Sequence, residues 1–405
     1  MKRKVVVTAV NALTALGLDM ETTWKSLLAG KPGVKRISLF NPEGLETQIA
    51  AQLPDEFAEF ASLHIKKRIA RQMTRVTQMA FACTKQGIEK HHIDTDFYEK
   101  DKCAVIMGIV NTGNSSVENN DDIKNMILKG MSNSISAWIS LEYGFEGPNF
   151  AISTACASSA YAIAMGFDMI ESGKADLVIC GGADSIINRE EIEGFNAIFA
   201  LSTANENPEK ASCPFSANRD GFVIGEGAGM LVLESEEMAK QRGAVILAEI
   251  SGYALTSEAY NIVSPKEEGE GMYITMKKAL EHAGIQPEQI HHINAHGTST
   301  TLNDLYETKA IKKLFGQGAY NIPVVSSKSM IGHTIGAAGV IEGVIAIKSL
   351  AEQKLHPTIN LEKADPELDL DYVPESRSHQ MEYVISNSFG FGGHNASLVF
   401  KTYTP

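Results

Sequence analysis

The sequence predicts an α/β fold whose sheets are covered on both faces. Three observations predict it. Short β-branched runs are apolar throughout rather than alternating, the pattern of strands buried on both sides. Longer segments with helical spacing separate those runs. The 405 residues are 44% hydrophobic and 21% charged, enough apolar material for a large core and for two or three domains.

Val5–Ala9 opens the chain as a core strand. The basic Met1-Lys2-Arg3-Lys4 before it superficially resembles the start of a signal peptide. However, the valines favour a strand, Asn11 interrupts the apolar run, and no convincing cleavage site follows. Helical spacing then predicts helices over Glu21–Leu28 and Ile69–Glu89, a strand over Ala104–Met107 and a helix over Ile135–Tyr143. From Gly147 an apolar run gives way to small residues around Cys156, and Ala157–Glu171 continues as a buried helix. Strands are expected at Leu177–Cys180, Met230–Leu233 and Val245–Ile250. Helices follow at Gly271–Ala283, Asp304–Leu314 and Ala337–Glu352. His291-His292-Ile293 is strand-like, and Val324–Ser326, Val384–Ser386 and Leu398–Phe400 complete the strands.

No low-complexity linker interrupts the chain. The best division falls around Glu236–Gly243, giving halves 1–238 and 239–405 with a similar alternation. Each half carries a strand that ends in small polar residues with a reactive side chain, Cys156 in the first and His296 in the second. That hints at duplication.

The formal net charge of −13 argues against a general nucleic-acid or anionic-membrane surface. No apolar run is long enough to span a bilayer. The five cysteines, Cys83, Cys103, Cys156, Cys180 and Cys213, are widely spaced and form no CxxC pair. A disulfide framework or zinc site is therefore not expected, and a reducing cytoplasm is.

Cys156 is the most informative residue. A cysteine where a strand meets a helix N-terminus is favoured as thiolate by the dipole and the free N–H groups. The same groups could hold an oxyanion. An isolated cysteine is more often a small core residue, so the downstream histidines matter. His296, in Asn294-Ala295-His296-Gly297-Thr298-Ser299-Thr300, and His333, in Ile331-Gly332-His333-Thr334, both sit among small polar residues at strand ends. Pockets are built there. One cysteine with two such histidines suits nucleophilic acyl chemistry. The glycines of Phe389-Gly390-Phe391-Gly392-Gly393-His394-Asn395 would let backbone approach a ligand closely.

Together with Cys213–Gly229, Pro357–Leu361 and Leu368–Pro374, these motifs resemble the β-ketoacyl-[acyl-carrier-protein] synthases of the elongating KAS II type, of the thiolase superfamily. Arg36–Pro42 and Thr77–Thr84 look equally like the ketosynthase α-subunits of type II polyketide synthases. The resemblance spans about Val5 to Lys401. It implies a thiolase fold of two similar halves in five layers, αβαβα. It implies an acyltransferase that condenses a malonyl extender, with loss of carbon dioxide, onto an acyl chain held by cysteine. The product would belong to fatty-acid or type II polyketide biosynthesis.

By motif, Cys156 resembles the nucleophile, and His296 and His333 the pair that supports decarboxylation. The N–H groups of Cys156 and Phe391 resemble the oxyanion hole. Phe391, with Gly390 and Gly392, resembles the gate. Lys328 and Glu342 resemble a supporting ion pair. No metal and no tightly bound cofactor is implied, since phosphopantetheine arrives on the acyl carrier protein. The implied partner is that carrier, with a homodimer or a heterodimer with a chain-length-factor-like subunit. Lys66, Lys67, Arg68 and Arg71, with Arg75, form a basic cluster that suits docking of an acidic carrier.

Asn111 and Asn114 depart from the family's small residues, Tyr161 from its usual His or Asp, and Thr8–Ala12 from its usual glycines. A degradative thiolase would carry a second cysteine near the last glycine-rich loop, where this chain has none. A KAS III-type starter enzyme would have Asn in place of His333. A non-catalytic partner subunit would replace the nucleophile. An active α-subunit that needs a chain-length-factor partner is the alternative that stays open.

Overall fold

In the computed structural model, residues 2–113 and 120–404 are described, 120–124 by their backbone alone. Asn114 therefore lies outside the described residues. One sheet contains ten strands: β1 (Val5–Leu13), β2 (Cys103–Gly108), β3 (Asn149–Ile152), β4 (Leu177–Asp184), β5 (Gly227–Ser235), β6 (Ala248–Ser257), β7 (His292–Asn294), β8 (Val324–Val325), β9 (Tyr383–Gly390) and β10 (His394–Lys401). Their spatial order is β8-β7-β9-β10-β6-β1-β5-β4-β2-β3.

The sheet has a seam. β1 and β6 meet there through only Val6↔Glu249 and Val7↔Ala248. Outward from the seam the two sides repeat one another. The sequence β1, β5, β4 is antiparallel, and β4, β2, β3 is parallel. Likewise β6, β10, β9 is antiparallel, and β9, β7, β8 is parallel.

Helices form the other layers. α1 (Arg75–Lys90) and α2 (Ser134–Tyr143) pack on the outside of the first side. α3 (Ser158–Glu171) and α6 (Ala338–Glu352) lie between the two sides and touch strands of both. α4 (Glu270–Ala283) and α5 (Thr301–Phe315) cover the outside of the second. The layers are thus αβαβα, as expected. The apolar strands follow directly from this. Ala104, Ile106, Val178 and Cys180 face the middle helices, and Cys103, Val105, Leu177 and Ile179 face α1 and α2. Period-2 geometry sends alternate residues to two different cores, so these runs are apolar on both faces. A third core lies under α4 and α5, around Met276, Ile293, Ile311 and Ile385.

The middle helices approach closely at their N-termini. A Cβ on Gly339 of α6 would lie 2.7 Å from the amide nitrogen of Ala160 on α3. Ser159 Oγ accepts from Val340 N at 2.9 Å across the same contact. This fixes the two crossovers that enter the site, β3 to α3 and β8 to α6, relative to each other.

Two element expectations are corrected. The helix expected over Ile69–Glu89 is broken, with a short turn at Lys67–Ala70 and a fresh start at Arg75. Thr74 is extended and its side chain accepts from Thr77 N, an N-cap that outweighs the continuous helical spacing. The strand expected at Val245–Ile250 begins at Ala248 and runs on to Ser257, pairing along β10. The repeated strand order also re-pairs the reactive loops. Cys156 follows β3, whose counterpart is β8, the strand before His333. His296 follows β7, whose counterpart is β2.

Two buried histidines make the fold acid-sensitive. His292 is pushed down to about 3 and His356 to about 4, in both cases chiefly by burial. Each stays neutral when folded but takes up a proton below about 6.5 once unfolded. Their stabilisation is therefore complete above about pH 6.5 and is lost as pH falls toward the folded values. His356 packs edge-on to Trp24, ring centroids 6.3 Å apart, and its Nε2 has no partner. His356→Phe should remove one such proton uptake. Wild type should lose stability relative to this variant by about 1.4 kcal/mol per pH unit between roughly pH 6 and 4. Denaturant titrations at several pH values measure this, and parallel curves would refute it.

Candidate active site

The C-terminal ends of the parallel strands converge. β2, β3 and β4 deliver Val110, Cys156 and Asp184, and β7, β8 and β9 deliver His296, His333 and Phe391. A cavity of about 330 Å³ opens there, lined by Val110, Cys156, His296, Ile335, His333 and Phe391 among others. Its outer rim is apolar, with Phe199 88% exposed.

Cys156 sits at a strained turn. Ala155 before it has φ 50°, left-handed for a residue with a Cβ. Ser158 Oγ holds the turn, accepting from Thr154 N at 2.9 Å and donating to Ala155 O at 2.6 Å. α3 starts two residues on. The N–H groups of Phe391 and of Cys156 itself both reach Sγ and, with the Lys328 charge, favour thiolate as expected. Burial is the larger effect, however, and pushes the thiol up to about 12. Burial thus opposes the local pull toward the thiolate.

The two imidazoles stand 5.3 Å apart, nearly perpendicular. Cys156 Sγ and one nitrogen of each ring lie within 4.8 Å of one another. Burial, then the Lys328 charge, holds both histidines well below the usual range, so both are neutral. Their tautomers follow from their neighbours. Lys328 Nζ, which can only donate, is 3.4 Å from His296 Nδ1. Ile335 N donates to His333 Nδ1 at 3.3 Å. Each Nδ1 is an acceptor, so each Nε2 carries the proton, and that of His333 has no partner in the chain. A metal on Nε2 would need the reverse, an N–H on Nδ1 facing an acceptor. The donor set alone looks like a metal site, but its surroundings fit hydrogen-bond donation instead.

Lys328 is 1% exposed, donates to His296 O at 2.6 Å, and is in contact with Glu342 Oε1. The expected ion pair is therefore formed, and it is buried. Breaking it by removing one partner would typically cost about 3–5 kcal/mol.

The glycine-rich loop turns β9 into β10 at Phe391–Gly393. Gly392 has φ 80° and its N–H donates to Ile262 O at 2.8 Å. Gly390 packs against the nucleophile turn, where a Cβ would lie 3.1 Å from Cys156 N. Tyr161 is half-buried, its ring edge against His394 and its hydroxyl donating to Thr256 O at 3.2 Å.

Three buried carboxyl groups, Asp184, Glu307 and Glu342, support the site. Glu307 accepts from His296 N and Gly297 N, both at 2.8 Å, and so sets the backbone of the first histidine. Asp184 accepts from three backbone N–H groups, those of Val110, Asn111 and Gly336. Burial pushes Asp184, Glu307 and Glu342 each up to about 7. A buried carboxylate held by backbone N–H groups leaves no spacing signature, so only the fold could find the first two.

The chain matches the model of the β-ketoacyl synthase N-terminal domain over residues 2–239 and that of its C-terminal domain over 247–362. It is 40% identical to the 3-oxoacyl-[acyl-carrier-protein] synthase 2 of Staphylococcus aureus over 99% of each chain.

The chain belongs to the β-ketoacyl synthase family.

Two solved structures share its fold over their whole length at 30% identity. One is a ketosynthase in complex with its type II polyketide acyl-carrier protein, bound to the hexaketide, with a TM-score of 0.88. The other is the ishigamide ketosynthase/chain length factor, with a TM-score of 0.89. In this β-ketoacyl synthase the basic cluster needs one correction. Lys66, Lys67, Arg68 and Arg71 are exposed, and none is in an ion pair among the described residues. Arg75 instead grips the buried Glu226 with both ends of its guanidinium, at 2.8 and 2.6 Å, and lies over Phe57. Asn111 is also engaged, donating to Glu191 at 2.6 Å. Among the described residues no helix is long and apolar enough to cross a membrane.

Proposed function

We propose that this chain catalyses decarboxylative Claisen condensation on acyl-carrier thioesters, as a β-ketoacyl-[acyl-carrier-protein] synthase. The observation that carries it is the thiol of Cys156 beside two neutral Nε2–H donors, under two backbone N–H groups.

Cys156 attacks the acyl thioester. A new C–S bond forms, the old one breaks, and the proton leaves with the phosphopantetheine thiol. The malonyl extender then loses carbon dioxide. His296 and His333 donate to the enolate oxygen that develops. The enolate carbon attacks the Cys156 thioester, and the N–H groups of Cys156 and Phe391 hold the tetrahedral oxyanion. Collapse expels the cysteine, which regains a proton from solvent. Lys328, paired with Glu342, keeps the His296 ring in its donor form. Phe391, between Gly390 and Gly392, gates the extender.

Division at 238/239 assigns the nucleophile to one half and both histidines to the other. Lys66, Lys67, Arg68 and Arg71 supply the charge for an acidic carrier. The edge strand β3, with Phe150 exposed, fits pairing with a second ketosynthase-type chain. The structural relative titled a ketosynthase/chain length factor supports the heterodimeric alternative, in which this chain is the active α-subunit.

Intact-mass analysis after incubation with a panel of acyl carriers tests this reading. One acyl adduct on Cys156 is expected. Reversing two charges, Lys67→Glu with Arg68→Glu, should weaken loading from the carrier about tenfold at low salt, less at high salt. Loading from a small pantetheine thioester should be unchanged. The absence of any adduct with every carrier, with and without a partner subunit, would sink the reading.

A further inference from the structure

Of the six strand ends that meet at the site, only that of β4 delivers a side chain that does not line the cavity. Asp184 is fully buried, and among the described residues no cation pairs with it. Its partners are backbone N–H groups from two other strand ends. Oδ2 accepts from Val110 N and Gly336 N, both at 3.0 Å, and Oδ1 accepts from Asn111 N at 3.2 Å. Val110 is cavity wall, and Gly336 is the middle residue of the turn Ile335–Ala337 that follows His333.

That turn is strained. Ile335 has φ 49°, a conformation that costs energy for a β-branched residue and persists only when its surroundings hold it. Ile335 N donates to His333 Nδ1 at 3.3 Å, and the left-handed φ just after that N–H sets where Gly336 N points. That bond in turn makes Nε2 the donor. The next N–H along the chain, on Gly336, is the one Asp184 holds.

We propose that Asp184 is a positioning residue for His333. Its carboxyl clamps the Ile335–Gly336 turn to the Val110–Asn111 wall, and thereby fixes the ring's tautomer and aim for decarboxylation. The inference rests on the condensing reaction above, because only the decarboxylation half needs an aimed Nε2–H on this ring. Acyl transfer to Cys156 relies on N–H groups from Phe391 and Cys156, with which Asp184 makes no hydrogen bond; its charge opposes the thiolate, so losing that charge does not weaken loading. The clamp therefore acts on one half-reaction, which a general role in stability would not.

Asp184→Asn tests this. The amide nitrogen cannot accept, so at least one of the three N–H groups meets another donor. Loading of Cys156 should stay within about threefold of wild type. The kcat for malonyl-thioester decarboxylation should fall at least about tenfold with KM unchanged, the mark of an interaction made only in the transition state. Gly336→Ala approaches the same contact from the other side, since its Cβ would lie 2.6 Å from Asp184 Oδ2. It should give the same split, and it decides the matter if Asp184→Asn does not fold. Equal losses in both half-reactions, unchanged decarboxylation, or a rise in KM alone would overturn the clamp. A wild type that neither loads nor decarboxylates sinks the condensing reading and the clamp with it. A working wild type with unsplit variants sinks only the clamp.

Discussion

Cys156→Ala should form no acyl adduct with any carrier and should reduce condensation to the limit of detection. The turn that holds the residue does not depend on sulfur. Ser158 Oγ bonds Thr154 N and Ala155 O, and α3 begins beyond it. The change trims one small atom from a site that already opens on a cavity, so stability should change little. Decarboxylation needs the two imidazoles rather than the thiol, and should persist. Intact mass, product analysis and carbon dioxide release separate these outcomes. Condensation that survives in this variant would remove Cys156 from the mechanism.

His333→Ala should do the opposite. Decarboxylation should fall by roughly 10²–10³-fold, as when one preorganised oxyanion donor is lost, about 2.7–4 kcal/mol of barrier. Acyl transfer should survive in part, because the N–H groups of Phe391 and Cys156 remain. The ring also packs against Phe222, centroids 5.4 Å apart, and its backbone pairs with Val223 and Gly225, so the loop keeps most of its anchors. The comparison is between loading by intact mass and carbon dioxide release from a malonyl thioester. Equal loss of both would make the histidine a structural group.

Much of this was legible in the sequence, for a physical reason. Residues that take part in covalent and proton chemistry must be particular types, so Cys156, His296, His333 and the glycine-rich loop stand out. The strands stood out because both faces of each are buried, which removes every polar residue from runs such as Val178–Cys180. What stayed hidden depends on long-range contacts. Arg75 looks like part of a basic face, but Glu226, 151 residues away, neutralises its charge in a part-buried ion pair. The break before α1 turned on one threonine hydroxyl, which helical periodicity cannot see. Asp184 and Glu307 are ordinary acids in sequence and become site residues only where backbone N–H groups from distant strand ends meet them. The local neighbours of Cys156 are legible in the sequence, but its depth of burial, which opposes the thiolate, is not.

That depth has a consequence outside the catalytic cycle. Thiolate is the form that hydrogen peroxide and soft electrophiles attack, and its fraction at neutral pH is minute for a thiol held near 12. The four other cysteines are also buried, and Cys103 and Cys213 are likewise pushed up, to about 12 and about 11. All five cysteines are thus buried, and burial disfavours the reactive thiolate of Cys156. In the empty site, burial thus holds back the Cys156 thiol.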